Sequence, residues 1–191
     1  MNAPSAEKLL EIVRQYYSAD PKYVNSLERS PERKRYAAKW QRVLDSTLDR
    51  WRRAVVDEVE RELPGYLVLD LTGPDAAFTV AAYADGFRPK GESVVVGHLS
   101  MLTPVYAVYA VRYQLSGRER VGSTVHYDEL PEELRPAAEV IARRIEAEFE
   151  APRIPASISQ TPIPFYVDYL EPGEATLFHA LFNQRPDNLV Y

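Results

Sequence analysis

Residues 104–113 read PVYAVYAVRY, and the strand that they predict is apolar on both of its faces. Side chains alternate along a strand, so Tyr109 and Val111 fall on one face while Tyr106 and Val108 fall on the other. An antiparallel sheet with one face in water alternates apolar and polar residues instead. Two explanations stay open: later helices cover the second face, or that face is offered to a partner.

Strands are also predicted before and after this run, joined by short connections. They cover residues 66–71, 76–84, 93–100 and 121–127. Parallel pairing would require crossover helices, and gaps of this length leave no room for them. The pattern therefore predicts an antiparallel meander of five strands. Residues 165–170 predict a sixth strand at a sheet edge, because Pro162 and Pro164 at its start cannot donate to a strand ladder.

Helices are predicted before and after the meander from apolar residues at helical spacing and from helix start signals. They run from Ser5 to about Ser18, from Ser30 to Leu63, from about Pro131 to Phe149, and over residues 173–182. The second helix is long, and we expect it to bend near residues 45–49. Its Trp40 and Trp51 are expected to pack on the sheet face that carries small residues such as Ala77 and Ala81.

The order of these elements predicts a single α+β domain over residues 1–191, with the helices packed mainly on one face of the sheet. Residues 1–63 would form a helical N-terminal part, and residues 66–127 the antiparallel sheet. Residues 131–191 would supply a helix, the edge strand, a short helix and an irregular tail. A length of 191 residues suits a domain of this kind.

Composition narrows the classes of function. The formal net charge is −5, whereas domains that bind nucleic acid are usually basic, so nucleic acid is not an expected partner. The chain holds no cysteine, which excludes disulfides and thiolate nucleophiles and is typical of a cytoplasmic protein. No apolar run approaches the ~20 residues of a membrane helix, so no membrane partner is expected. Acidic residues crowd the stretch from Asp128 to Glu150, which is either a solvated helix face or a surface for a basic partner.

Residues that carry chemistry are sparse, and no catalytic residue, metal ligand or cofactor is predicted. His98 and Ser100 share one face of a strand, as do His126 and Asp128 of another strand. If those strands were neighbours, a nucleophile, a base and an orienting acid would meet. Polar residues that are solvated at strand ends are the alternative explanation.

Two weaker patterns point to other chemistry. Asp70 and Asp168 are acids in otherwise apolar segments, and a carboxyl group facing a cavity can act as an acid or a base. Both acids facing solvent is the alternative that we favour. Residues 86–93 read GFRPKGES and have the glycine spacing of a phosphate-binding loop, but Glu92 stands where that loop needs lysine. We therefore reject a phosphate site there.

Tyrosine is the residue type that most suggests a function. Its ring gives large, stiff contact area, and it is enriched at protein interfaces. The predicted partner-binding residues are Tyr106, Tyr109, Tyr113, Tyr127, Tyr166 and Tyr169. The alternative is that these tyrosines close the rim of the core and keep their hydroxyls in water.

These features favour an acidic, cysteine-free, cytoplasmic protein that binds another protein without catalysis. An immunity protein that neutralises a toxin, in the manner of an antitoxin, fits this description, as does a dedicated chaperone for an effector. The expected partner is a basic toxin or effector. The alternative class is a small-molecule-binding protein or a hydrolase with a pocket between the sheet and the long helix. A homodimer joined through the same sheet face is a further alternative.

Overall fold

An antiparallel sheet forms the centre of the molecule. The computed structural model describes residues 2–23, 29–73, 75–84, 93–116, 119–183 and 185–189, so the rejected phosphate loop at residues 86–92 lies outside it. The strands are β1 (Leu67–Asp70), β2 (Ala77–Tyr83), β3 (Ser93–Ser100), β4 (Tyr106–Ser116) and β5 (Glu119–His126). Their order in the sheet is β1-β2-β3-β4-β5, and every pair is antiparallel. The α+β class and the meander are therefore confirmed.

Helices precede and follow the sheet in the chain. They are α1 (Ala6–Val13), α2 (Pro31–Trp51), α3 (Asp57–Glu62), α4 (Arg135–Phe149), α5 (Ala156–Ser159) and α6 (Leu177–Leu181). Ser5 and Ser30 cap α1 and α2, as their positions predicted: the Ser30 hydroxyl accepts a hydrogen bond from the Arg33 backbone N–H at 3.0 Å. Pro31 follows at the first helical position, where its missing N–H costs nothing.

The long helix changes its winding at Arg52–Val56, where it forms one π-helical turn between α2 and α3. The backbone N–H of Asp57 bonds to the carbonyl of Arg52, five residues earlier. Trp51 lies just before this turn and is buried against the rings of Phe78 and Phe149. The bend expected near residues 45–49 is therefore wrong in position, since residues 31–51 are continuous α-helix.

The longer helices cover one side of the sheet, which we call the α4 face. It carries Phe78, Val80, Ala82, Val95 and Val108, packed against α3, α4 and Trp51. Gly97 also lies on this face, and a Cβ atom there would sit 2.3 Å from the Ile141 Cγ2. The absence of a side chain at Gly97 therefore lets α4 lie directly on β3.

The opposite side, which we call the His98 face, is covered by shorter pieces of chain. It carries Tyr83, His98, Tyr109 and Tyr113 and includes the small residues Ala77 and Ala81. Side chains of α1, α6 and residues 163–167 bury it. The expectation that Trp40 and Trp51 pack on Ala77 and Ala81 is thus wrong for Trp51, which contacts Phe78 on the α4 face.

Both faces of β4 are therefore buried, because the chain supplies two cores. The first explanation of residues 104–113 holds: later parts of the chain cover the second face. The covering is done largely by short helices and irregular segments, whereas the longer helices gather on the α4 face.

The predicted sixth strand at residues 165–170 is not a regular strand. Its only described pairing is an isolated bridge between Val167 and Leu170, within a tight turn. The place beside β4 is instead taken by Arg153, which forms a parallel bridge with Tyr106. β5 ends at His126 opposite Ala110, so the first residues of β4 would otherwise lack a neighbour on that side.

Candidate functional site

The six tyrosines predicted to contact a partner lie in different environments. Tyr106, Tyr109 and Tyr113 are buried, so they cannot offer their rings to another molecule while the chain is folded. Tyr127 and Tyr166 are half-buried, and Tyr169 is 87% exposed. A single tyrosine surface is therefore not formed.

The groups that would have made a catalytic triad are also apart. β4 separates His98 on β3 from His126 on β5. The Ser100 hydroxyl accepts a hydrogen bond from the Leu102 backbone N–H, and the Asp128 carboxylate accepts one from the Ala156 N–H at 2.8 Å. Each of these side chains therefore bonds to a backbone N–H group and not to the other side chain.

The predicted carboxylate pair does not meet either. Asp70 pairs with Arg52 at 2.7 Å, and Asp168 pairs with Arg33 at 3.2 Å. Within the described ranges, no group of three or more histidine and carboxylate side chains is arranged to hold a metal ion. No helix in that part of the chain has the length and apolar character needed to cross a bilayer.

A buried hydrogen-bonded chain runs through the His98 face. The His98 Nδ1 lies 2.8 Å from the Thr79 hydroxyl, and its Nε2 lies 3.2 Å from the Tyr109 hydroxyl. Tyr109 in turn donates to the backbone carbonyl of Pro186 at 3.2 Å. Because that hydroxyl has one hydrogen, every member is satisfied only if Nε2–H donates to Tyr109 and Thr79 donates to Nδ1.

The surroundings of His98 keep its ring neutral. It stacks between Tyr109 and Phe182, with ring centroids 5.4 and 5.9 Å away, and Phe178 meets it edge-on. Burial lowers the pKa of His98 to about 3 from its ordinary 6.5. The histidine therefore serves as a fixed neutral link that positions Thr79 and the C-terminal segment.

An open cleft of about 280 Å³ lies above Thr79, between the sheet and the C-terminal segment. It is lined by Leu71, Asp75, Thr79, Asn183, Arg185, Asn188 and Leu189. Its C-terminal wall is anchored by the bond from Tyr109 to Pro186 and by the Ser123 hydroxyl, which donates to Asp187 at 3.2 Å. The buried chain thus supports both the floor and one wall of the cleft.

Asp75 lies in the short connection between the first two predicted strands, and its place in this cleft was missed by sequence reasoning. Its backbone carbonyl accepts a hydrogen bond from the Trp40 indole N–H at 3.0 Å. Burial, and then the negative charge of Asp168, raise the pKa of its carboxyl group, while Arg33 opposes the rise. No local sequence signal marks Asp75, because the cleft forms only where the distant C-terminal segment lies over it.

A second surface lies where the end of α1, the start of α2 and the turn at residues 167–170 meet. We call it the Tyr169 surface, and it consists of Tyr16, Arg33, Tyr166 and Tyr169. A shallow groove of about 10 Å³ runs along it, lined partly by Tyr16, Ser18, Arg33 and Tyr166. Arg33 forms part of its floor, with its guanidinium 4.3 Å from the Tyr36 ring.

Comparisons with known proteins identify no relative: no family model, no curated protein sequence and no solved structure matches the chain significantly.

Proposed function

We propose that this protein binds another protein through the Tyr169 surface, without catalysis. The observation that carries the proposal is the presentation of Tyr169, a large aromatic side chain that is 87% exposed on a firmly held turn. Among the described residues, Val121 is the other exposed large apolar side chain. Val121 lies on the edge strand β5, whereas Tyr169 follows Asp168, which lines a groove together with Tyr16, Tyr166 and its ion-pair partner Arg33.

The turn that carries Tyr169 is held from several sides. Val167 and Leu170 exchange backbone hydrogen bonds of 3.2 and 2.9 Å, and the Tyr166 N–H donates to the Ser18 carbonyl at 3.0 Å. Asp168 has a φ of 46°, which residues other than glycine adopt rarely, and its ion pair with Arg33 secures it. A partner would therefore meet a ring whose backbone is already ordered, which lowers the entropy cost of binding.

The composition and shape of the Tyr169 surface favour a macromolecular partner. Tyrosine and arginine are the residue types that most often dominate binding energy at protein interfaces. The groove of about 10 Å³ is far smaller than the ~300 Å³ at which pockets for drug-sized molecules begin. A flat aromatic surface of this kind suits contact with a folded protein.

The proposed biological role is neutralisation of a toxin, as by an immunity protein, or dedicated chaperoning of an effector. The formal net charge of −5 would attract a basic partner over distance and speed its encounter. A cytoplasmic site of action belongs to the same proposal. Of the six contact residues proposed from the sequence, we retain Tyr166 and Tyr169. Tyr106, Tyr109 and Tyr113 are buried, and Tyr127 packs against Tyr109 and Phe178 on the His98 face.

The test begins with the products of neighbouring genes, co-expressed with the tagged protein. A co-purifying partner is then purified, and its affinity is measured by calorimetry for the wild type and two variants. Tyr169→Ala is expected to weaken binding by at least about 30-fold, the scale of a hot-spot residue. Val121→Ala removes the other exposed apolar side chain and is the matched control, expected to change affinity little.

Failure to obtain a stable partner would count against the proposal. Equal affinity of the wild type and Tyr169→Ala for an identified partner would contradict the surface assigned to it. Circular dichroism of both variants shows whether they keep the fold, which exposed positions should allow.

A further inference from the structure

The cleft above Thr79 is separate in its chemistry from the Tyr169 surface. We propose that it binds a free α-amino acid with an apolar side chain. The sheet side of the cleft, which we call the accepting end, carries hydrogen-bond acceptors, the C-terminal wall, which we call the donating end, carries donors, and Leu71 and Leu189 add apolar surface.

The accepting end is formed by Thr79 and Asp75. The Thr79 side chain is only 4% exposed, and its single hydroxyl hydrogen is used by the His98 Nδ1. Toward the cleft, Thr79 can therefore only accept a hydrogen bond. The Asp75 carboxylate beside it is also an acceptor when ionised. Two acceptors of this kind select a cationic donor, and a primary ammonium group supplies three N–H bonds.

Burial raises the pKa of Asp75, which means that its carboxylate lacks compensation for lost water. The positive charge of Arg33 lowers the pKa of Asp75, but the negative charge of Asp168, which pairs with Arg33, raises it. An ammonium group in the cleft would provide the missing positive charge. The environment of Asp75 is therefore complementary to a cation that enters from the cleft.

The donating end is formed by the C-terminal wall. Arg185 carries a guanidinium, and its backbone N–H donates to the Asn183 side-chain oxygen at 2.6 Å. The NH₂ group of the same carboxamide is a second donor on this wall. A guanidinium and an amide N–H together suit a carboxylate. The ligand thus carries an ammonium at one end and a carboxylate at the other.

The remaining lining and the size of the cleft define the rest of the ligand. Leu71 and the buried Leu189 supply apolar surface. A volume of about 280 Å³ lies just below the ~300 Å³ at which pockets for drug-sized molecules begin. A single amino acid with an aliphatic side chain fits these limits, and leucine is the probe that we choose.

The experiment compares three molecules by isothermal calorimetry on the full chain. They are L-leucine, 3-methylbutan-1-amine, which lacks the carboxylate, and 4-methylpentanoate, which lacks the ammonium. We expect leucine to bind best, the amine to bind less tightly, and the acid to bind at least about tenfold more weakly than leucine. Binding of the acid as tight as that of leucine, or no binding of leucine at millimolar concentration, overturns the proposal.

Variants locate the site. Asp75→Asn is expected to lower the affinity for leucine by at least about tenfold. Asp57→Asn changes an exposed acid on α3 and is the matched control, which should leave the affinity for leucine unchanged. Arg185→Gln changes an exposed side chain, so the variant should fold. It should bind leucine more weakly than the wild type does and bind 3-methylbutan-1-amine equally well. Unchanged leucine affinity in both cleft variants overturns the proposal. Tyr169→Ala should bind leucine normally, which separates this result from the fate of the proposed protein binding.

Discussion

The two faces of the sheet are both buried, but they are buried by different means. On the α4 face, regular helices lie on aliphatic strand residues, and Gly97 allows the close approach of Ile141. On the His98 face, short helices and irregular segments lie on aromatic residues, and a hydrogen-bonded chain links Thr79, His98 and Tyr109. Helices satisfy most of their own backbone groups, whereas irregular segments depend on other parts of the chain or on water to do so.

The two ways of burying the sheet differ in where they leave room for a binding site. Irregular segments leave clefts and turns between them, and both candidate surfaces lie among the segments that cover the His98 face. The cleft lies between β2 and residues 183 and 185–189, and the groove of the Tyr169 surface lies where the residues after α1 and residues 166–168 meet α2. Both candidate surfaces therefore lie on the side of the His98 face.

The largest expected effect comes from removing the ring at the centre of the His98 face. His98→Ala leaves a cavity between Tyr109 and Phe182 and removes both the acceptor of the Thr79 hydroxyl and the donor to the Tyr109 hydroxyl, so it should lower the free energy of unfolding by about 3–5 kcal/mol. Urea denaturation measures this. His126→Ala, at a half-buried position on β5, is the control and should cost less than about 1 kcal/mol. Equal losses of unfolding free energy in the two variants would contradict the structural role assigned to His98.

The α4 face should respond to the opposite change, an added atom. In Gly97→Ala the new Cβ would lie 2.3 Å from Ile141 Cγ2, and we expect a loss of about 3 kcal/mol from overpacking. Gly122→Ala is the matched control, because its new Cβ meets only the flexible end of Gln114. Ile141→Ala removes the Cγ2 atom, so Gly97→Ala should cost less stability in that background than in the wild type, as measured by a double-mutant cycle. Full stability of Gly97→Ala alone would show that α4 can move away.

The His98 face should make the stability of the chain depend on pH. The pKa of His98 is about 3 in the folded chain and near 6.5 when unfolded, so the unfolded chain binds the proton between these values. Stability is therefore lost as pH falls through this window, by at most about 1.4 kcal/mol per pH unit. His98→Phe should remove this share, worth about 2 kcal/mol between pH 7 and 5. Burial also lowers the pKa of His179, which adds a loss of the same sign in both proteins.

The pH test compares the two proteins by urea denaturation at each pH. Carboxylates contribute equally to both, so only the difference in slope is assigned to His98. Parallel slopes for the wild type and His98→Phe would show that His98 is not held neutral.

The smallest expected effect concerns the cleft and is a gain in stability. The pKa of Asp75 is raised, so its contribution is most favourable at low pH and is lost as pH rises through the folded-state pKa. Replacing this carboxylate by Asn removes an ill-solvated charge that faces Asp168. Asp75→Asn should therefore unfold at a slightly higher temperature than the wild type at pH 7, with the difference narrowing toward pH 4. A lower midpoint at pH 7 would mean that the carboxylate stabilises the fold.

Sequence reasoning reached the sheet because its signals are local. Alternation in residues 104–113 and short connections determine strands and their antiparallel order, and Ser30 followed by Pro31 marks a helix start. The same run could not reveal what covers it, because apolar residues on both faces fit either a second core or a partner. Covering depends on distant contacts, such as the Tyr17 hydroxyl donating to the Ala180 carbonyl at 2.9 Å.

The features that sequence reasoning missed depend on contacts between distant residues or on small shifts of the backbone. The π turn at Arg52–Val56 inserts one residue, and this leaves the apolar spacing of the helix almost unchanged. Residues 152–154 carry no strand pattern, yet Ile154 N–H donates to the Tyr106 carbonyl at 2.9 Å. Asp75 became a site residue only when the C-terminal segment folded over it. None of these has a local sequence signal.

The indole hydrogen bond from Trp40 to the Asp75 carbonyl has a spectroscopic consequence. The chain contains two tryptophans, and Trp51 is enclosed beside Phe78 on the α4 face, away from water. Trp40 is half-exposed at the rim of the cleft, so its emission should lie at longer wavelength than that of Trp51 and should respond when the cleft fills. Trp51→Phe would leave Trp40 as a built-in fluorophore for titrations.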